Sequence, residues 1–195
     1  RPWLNVLFQL VQIALALVPV LLVGHLLTRS GEGLRGIGFD ATQPRRDAVR
    51  GVVLAAIVGG TGLAFYLAMY AAGINLRVVP VSLENTWWSL PVLVVAAIEN
   101  AVLEEVVVLG YLIHRLRQIG WSGRCAVGAS ALLRGCYHLY QGFGGFTGNL
   151  MMGLLFGWLF TRWRRTMPFV VAHALIDVVA FIGYAMLRDR IDWLP

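Results

Sequence analysis

Six apolar runs, at about 5–27, 51–73, 89–113, 123–140, 146–161 and 167–187, follow one another with short polar connectors between them. A bilayer core about 30 Å thick is crossed by about 20 apolar residues at the helical rise. The pattern predicts an all-α fold: a polytopic transmembrane helical bundle of about six spans, forming a single membrane domain over 1–195. The fifth run is short and is expected to tilt or to continue from the loop before it. The sequence carries no internal repeat, linker or low-complexity segment. The chain opens at Arg1 without a Met, so further residues are expected upstream. The first run ends at Leu27 with no small-residue cleavage pattern, which predicts a span and not a removable signal.

Composition closes off the other classes. Only 13% of residues are charged, about half the share of a soluble domain, while 58% are hydrophobic. Disorder needs the opposite balance. The net charge of +6 does not point to nucleic acid, because the basic residues sit in short clusters between apolar runs without interleaved aromatic residues. All of them are Arg, which fits a GC-rich bacterial genome.

The connectors alternate. Arg29, Arg35, Arg45, Arg46 and Arg50 fall at 28–50, His114, Arg115 and Arg117 at 114–122 with Arg124 just beyond, and Arg162, Arg164 and Arg165 at 162–166. The connector 74–88 has only Arg77 against Glu84, and 141–145 has no charge. The positive-inside rule then predicts a bacterial plasma-membrane protein with the basic connectors cytoplasmic. Trp87, Trp88, Trp158, Trp163 and Trp193 are expected as interfacial anchors, and His25 and His114 as interfacial residues. Gly153 and Gly157, with Gly148 near the same face, and Gly59, Gly60 and Gly62 are expected to let helices approach closely. Cys125 and Cys136, about 16 Å apart along one predicted helix, are too far apart to bridge.

Against this background seven ionisable residues stand at membrane depth: Glu99, Glu104 and Glu105 in the third run, Arg134 and His138 in the fourth, His173 and Asp177 in the sixth. Facing lipid they would cost on the order of 20 kcal/mol together, so they are expected to face one another or a wet cavity. Counted from the basic ends, Glu104 lies about 16 Å in, His138 about 21 Å, and His173 and Asp177 about 8 and 14 Å. These depths overlap. Arg134 and His138 share a helix face, as do His173 and Asp177, and the second pair lets a carboxylate orient an imidazole. Glu104 and Glu105 are 100° apart, so one can enter a cavity while the other holds a structural partner.

The strings EEVVVLGYL from Glu104, RGCYH from Arg134 and HALID from His173 resemble the three motifs of the CPBP intramembrane proteases, which include the type II CAAX prenyl endopeptidases. The family pattern is EExxxR, FxxxH and HxxxN or HxxxD, each on its own span. The resemblance covers about 85–187, a CPBP-like catalytic core. Two positions depart from it. The motif Arg is Leu109 here, and the motif Phe is Arg134, which is expected to supply the missing cation to Glu105 from the neighbouring helix.

The resemblance implies an endopeptidase in which Glu104 is the general base activating a water, His138 and His173 hold that water and stabilise the oxyanion, and Asp177 orients His173. Glu105 and Arg134 support the site, and Asn149 is a further donor to the oxyanion. No metal is required on this reading. Zn²⁺ held by Glu104, His138 and His173 is the alternative, ranked lower because nothing like HExxH is present. Glu99 is expected to be structural. Tyr137 and Tyr140 flank His138 and are expected to line the cavity or simply to pack. The expected partners are a membrane-associated peptide or protein substrate, the lipid bilayer and a membrane-protein complex, with no nucleic acid. Two other classes stay open: a catalytically inactive scaffold or accessory subunit, for which the loss of Arg at 109 argues, and a small transporter relaying protons or ions.

Overall fold

The structure is a computed structural model that describes residues 2–74 and 87–187. Arg77, Glu84 and Trp193 therefore lie outside the described residues. Helices α1 (Pro2–Ala16), α2 (Val18–Arg29) and α3 (Pro44–Ala71) are followed by α4 (Ser89–Glu104), a π-helical stretch Glu105–Tyr111, and α5 (Leu112–Gln118). Then come α6 (Gly123–Tyr137), α7 (Phe143–Trp163) and α8 (Met167–Leu187). No strand occurs among the described residues, as the apolar runs predict.

Local sequence explains several boundaries. Pro19 has no N–H to offer the carbonyl of Leu15, and the first apolar helix breaks between α1 and α2. Pro44 opens α3 in the first turn, where its missing N–H costs nothing. Ser122 caps α6, its Oγ accepting from the Cys125 N–H at 3.1 Å.

Among the described residues four helices are long and apolar enough to cross a membrane: Trp3–Arg29, Pro44–Ala71, Phe143–Trp163 and Met167–Tyr184. The third and fourth expected spans differ from these for physical reasons. The third carries Glu99, Glu104 and Glu105, and α6 has 15 residues, about 22 Å of rise, before the chain turns through Leu139–Gln141. These two segments supply much of the interior. The π-helical stretch touches α2, α5, α6, α7 and α8, with Glu105, Val106, Val108, Leu109 and Gly110 buried.

The closest packing is α6 on α7 and α8 on both α3 and α4. Gly153 and Gly157 make the first contact: a Cβ at 153 would stand 2.9 Å from the Ala131 Cα, and one at 157 would stand 2.7 Å from Val127 Cγ1. The expectation for α3 needs correcting. Gly60 and Gly62 face open space, and Gly51 makes the close approach instead, 2.5 Å from Val171 Cγ1. Leu54, Leu109, Ile113, Phe156, Phe160 and Phe169 form the larger apolar core, and Val20, Val23, Leu27, Ile37 and Val106 form a second beneath α2.

The three basic connectors meet at one end of the bundle. Glu32 Oε1 accepts from Arg115 Nη1 and Gln118 Nε2, both at 2.9 Å, and Oε2 contacts His114. Arg165 Nη2 donates to Asp47 at 2.6 Å and to Asp40 at 3.0 Å, and the Thr166 N–H reaches the carbonyls of Ile37 and Gly38. His114 is thus tied to a carboxylate. Trp87 and Trp158 are exposed, as anchors would be.

Candidate active site

The glutamate pair sits where the α-helix gives way to π geometry. A π turn inserts one residue and frees a carbonyl from its usual partner. Ser130 on α6 donates to the Val108 carbonyl at 2.7 Å. Gly110 allows the crowding, since a Cβ there would lie 2.6 Å from Thr166 Oγ1.

From this point the two carboxylates diverge, as their 100° separation requires. Glu105 is fully buried. Its Oε1 accepts from Arg134 Nη2 at 2.6 Å and lies 2.8 Å from His173 Nδ1. The cation absent at Leu109 is thus supplied from α6, across a helix–helix contact. Glu105 Oε2 and Arg134 Nη1 are buried without a hydrogen-bond partner among the described residues.

Glu104 turns the other way. Its Oε2 accepts from the Tyr137 hydroxyl at 2.8 Å, and its Oε1 stands 3.7 Å from His138 Nε2. Arg134 Nη2 is 4.0 Å from the same carboxylate, so one guanidinium faces both glutamates while bonding only Glu105. His138 follows the last residue of α6 and caps it. Its Nδ1 lies 3.0 Å from the Arg134 carbonyl, a contact that makes Nδ1 the donor and turns Nε2 toward Glu104.

His173 on α8 lies between Glu105 and Asp177, with Nδ1 on the former and Nε2 3.5 Å from Asp177 Oδ2. Asp177 itself accepts from Asn100 Nδ2 at 3.0 Å. The hydrogen bond that fixes His173 therefore comes from Glu105, with Asp177 as a longer electrostatic neighbour.

All six residues expected at the centre, Glu104, Glu105, Arg134, His138, His173 and Asp177, join one network. Asn149 does not: its amide donates to the Gly145 carbonyl in its own helix at 3.0 Å. Tyr140 is 68% exposed and bonds Gln141, while its ring stacks on that of His138 at 6.3 Å between centroids, so it flanks the network from the outside. Glu99 is only partly buried, its Oε1 without a hydrogen-bond partner among the described residues. Cys125 and Cys136 are exposed and unpaired.

Sequence reasoning missed Asn100 and undervalued Tyr137. Asn100 lies four residues before Glu104, and counting polar as well as ionisable residues at membrane depth would have found it. Among the described residues, no three His, Cys, Asp or Glu side chains converge as metal ligands do.

Residues 86–179, just under half of the chain, match the family described as type II CAAX prenyl endopeptidase, Rce1-like. This segment is similar to that family. The match spans every member of the network, from Asn100 to Asp177, and its proteolytic activity is what the relationship supports for this membrane protein. No curated protein and no solved structure matches the chain.

Proposed function

We propose that this chain is an intramembrane endopeptidase that hydrolyses a peptide bond of a membrane-associated substrate with a water activated by Glu104. The observation that carries this reading is the Glu104–His138 gap. At 3.7 Å it is too long for a direct hydrogen bond, and one water can bridge it with two ordinary ones.

In the proposed step Glu104 takes a proton from that water as its oxygen attacks the scissile carbonyl. His138 holds the water through Nε2, His173 stabilises the oxyanion, and the proton held by Glu104 passes to the leaving amine as the C–N bond breaks. Tyr137 orients Glu104 through its hydroxyl. Glu105, held by Arg134, positions His173, and Asn100 positions Asp177. No metal enters the step. The basic end of the bundle faces the cytoplasm of a bacterial cell, and the substrate enters from the adjoining leaflet. The name of the matched family points to prenylated protein termini as one substrate class, and membrane-anchored bacterial peptides are the other.

The loss of the motif Arg at 109 favours a second reading, an inactive scaffold within a membrane complex. Arg134 on Glu105 answers it, because the charge is restored where a scaffold would have no use for it.

Purified protein in liposomes, given a farnesylated CAAX peptide and an unmodified acylated peptide, tests the proposal by mass spectrometry of the products. Cleavage lost in Glu104→Gln and retained with a zinc chelator is the expected result. Cleavage by Glu104→Gln at the wild-type rate would overturn it. Loss to the chelator with recovery on adding Zn²⁺ would move Glu104, His138 and His173 to a metal centre.

A further inference from the structure

A second concave site lies at the basic end of the bundle, away from the glutamate network. Gln43, Arg46 and Arg50 from the start of α3, Arg162 and Trp163 from the end of α7, and the turn residues Arg164 and Arg165 line a cleft of about 320 Å³. Arg165 is already paired with two carboxylates, Asp47 and Asp40, which leaves four arginines against one net negative charge. Among the described residues, no carboxylate lies within ion-pair distance of Arg46, Arg50, Arg162 or Arg164. Arg46 donates to Gln43 Oε1 at 3.3 Å, Arg50 lies 4.4 Å over the Trp163 ring with Asp47 as a more distant charged neighbour, and Arg162 lies 4.3 Å over Trp158. Four like charges drawn around one hollow repel one another unless an anion joins them.

The surroundings say what carries that anion. Three membrane-length helices begin or end here, at Pro44, Trp163 and Met167. Along α3, Arg46 and Arg50 continue on one face into Val53 and Ile57, which are 51% and 58% exposed. A basic head over an exposed apolar stripe, flanked by an interfacial Trp, matches a phosphate group with acyl chains below it. A free anion would have no use for the stripe.

We infer that this cleft binds a phosphate anion, presented by the headgroup of an anionic phospholipid whose chains lie along α3. The inference does not rest on the protease reading.

Native mass spectrometry of the detergent-solubilised full chain tests it, with phosphatidylglycerol, phosphatidylcholine and inorganic phosphate titrated separately. The expected result is saturable phosphatidylglycerol binding that exceeds phosphatidylcholine and weakens about five-fold for each of Arg50→Gln and Arg162→Gln. Arg46→Gln alters an exposed side chain and keeps the fold, so its weakening reads the site alone. Arg124→Gln removes the same charge outside the cleft and should change nothing. Competition by inorganic phosphate would show that the arginines grip the phosphate itself; lipid binding indifferent to it would assign the site to the whole headgroup and chains. Equal binding of the two lipids, or an Arg46→Gln effect no larger than that of Arg124→Gln, would overturn the inference.

Discussion

Arg134 and Glu105 meet at 2.6 Å across the α6–π-helix contact, with side chains only 2% and 0% exposed. Neither residue could stay charged alone at this depth without a penalty of several kcal/mol. The pair also holds His173 and reaches Glu104, so the site depends on a contact between helices where the family pattern keeps it within one.

Removing the cation should therefore unfold the protein more readily than an ordinary core truncation. Arg134→Ala is expected to cost about 3–5 kcal/mol, with Arg134→Lys recovering part of it. Thermal unfolding in detergent measures this. An Arg134→Ala protein as stable as wild type would contradict the account.

Tyr137 contributes one hydrogen bond to Glu104 from a ring that is 36% exposed. Tyr137→Phe should cost no more than about 1.5–3 kcal/mol of stability, the worth of a hydrogen bond to a charged group, while lowering kcat about ten- to hundred-fold. Paired turnover and unfolding measurements separate the two effects.

Close packing of α6 on α7 predicts a different sensitivity. Gly153→Ala drives a methyl group to 2.9 Å from the Ala131 Cα and should cost about 1–3 kcal/mol. Gly60→Ala, with open space around it, should be neutral or slightly stabilising. Unfolding curves for the two variants should move apart.

At the basic end, acid should loosen the connectors. Gln118 first, then His114 and Arg115, hold the Glu32 carboxyl at about 2, against an ordinary 4.5. Thr42 and Arg165 hold Asp40 at about 2, against 3.8. Because both values are lowered in the folded protein, their stabilisation is complete above about pH 4.5. It is lost as the pH falls toward 2. Between pH 5 and 2.5 the stability gap between wild type and Glu32→Gln should close. A constant gap would remove Glu32 from the account.

Much of this arrangement was legible in the residues. The cost of charge at membrane depth gathered Glu104, Glu105, Arg134, His138, His173 and Asp177 before any coordinates, and the missing Arg at 109 pointed to Arg134. The π-helical stretch was not legible, because one inserted residue leaves the apolar pattern unchanged and depends on Ser130 and Thr166 from other helices. For the same reason Glu105, and not Asp177, proved to be the hydrogen-bond partner of His173. Asn149 shows the converse: a polar residue near the site can satisfy itself on its own helix. Among the described residues four helices are long and apolar enough to cross a membrane; α4 is not among them because the network residues stand in place of apolar ones, nor is α6, which stops short at His138.

The most direct test of the central claim compares membrane-peptide termini in cells carrying wild type, a deletion, or Glu104→Gln at equal expression. The account predicts that a cleaved terminus present in wild type disappears in both of the others. If Glu104→Gln instead repairs every defect of the deletion and no terminus changes, Glu104 is not a base and the chain acts as a scaffold.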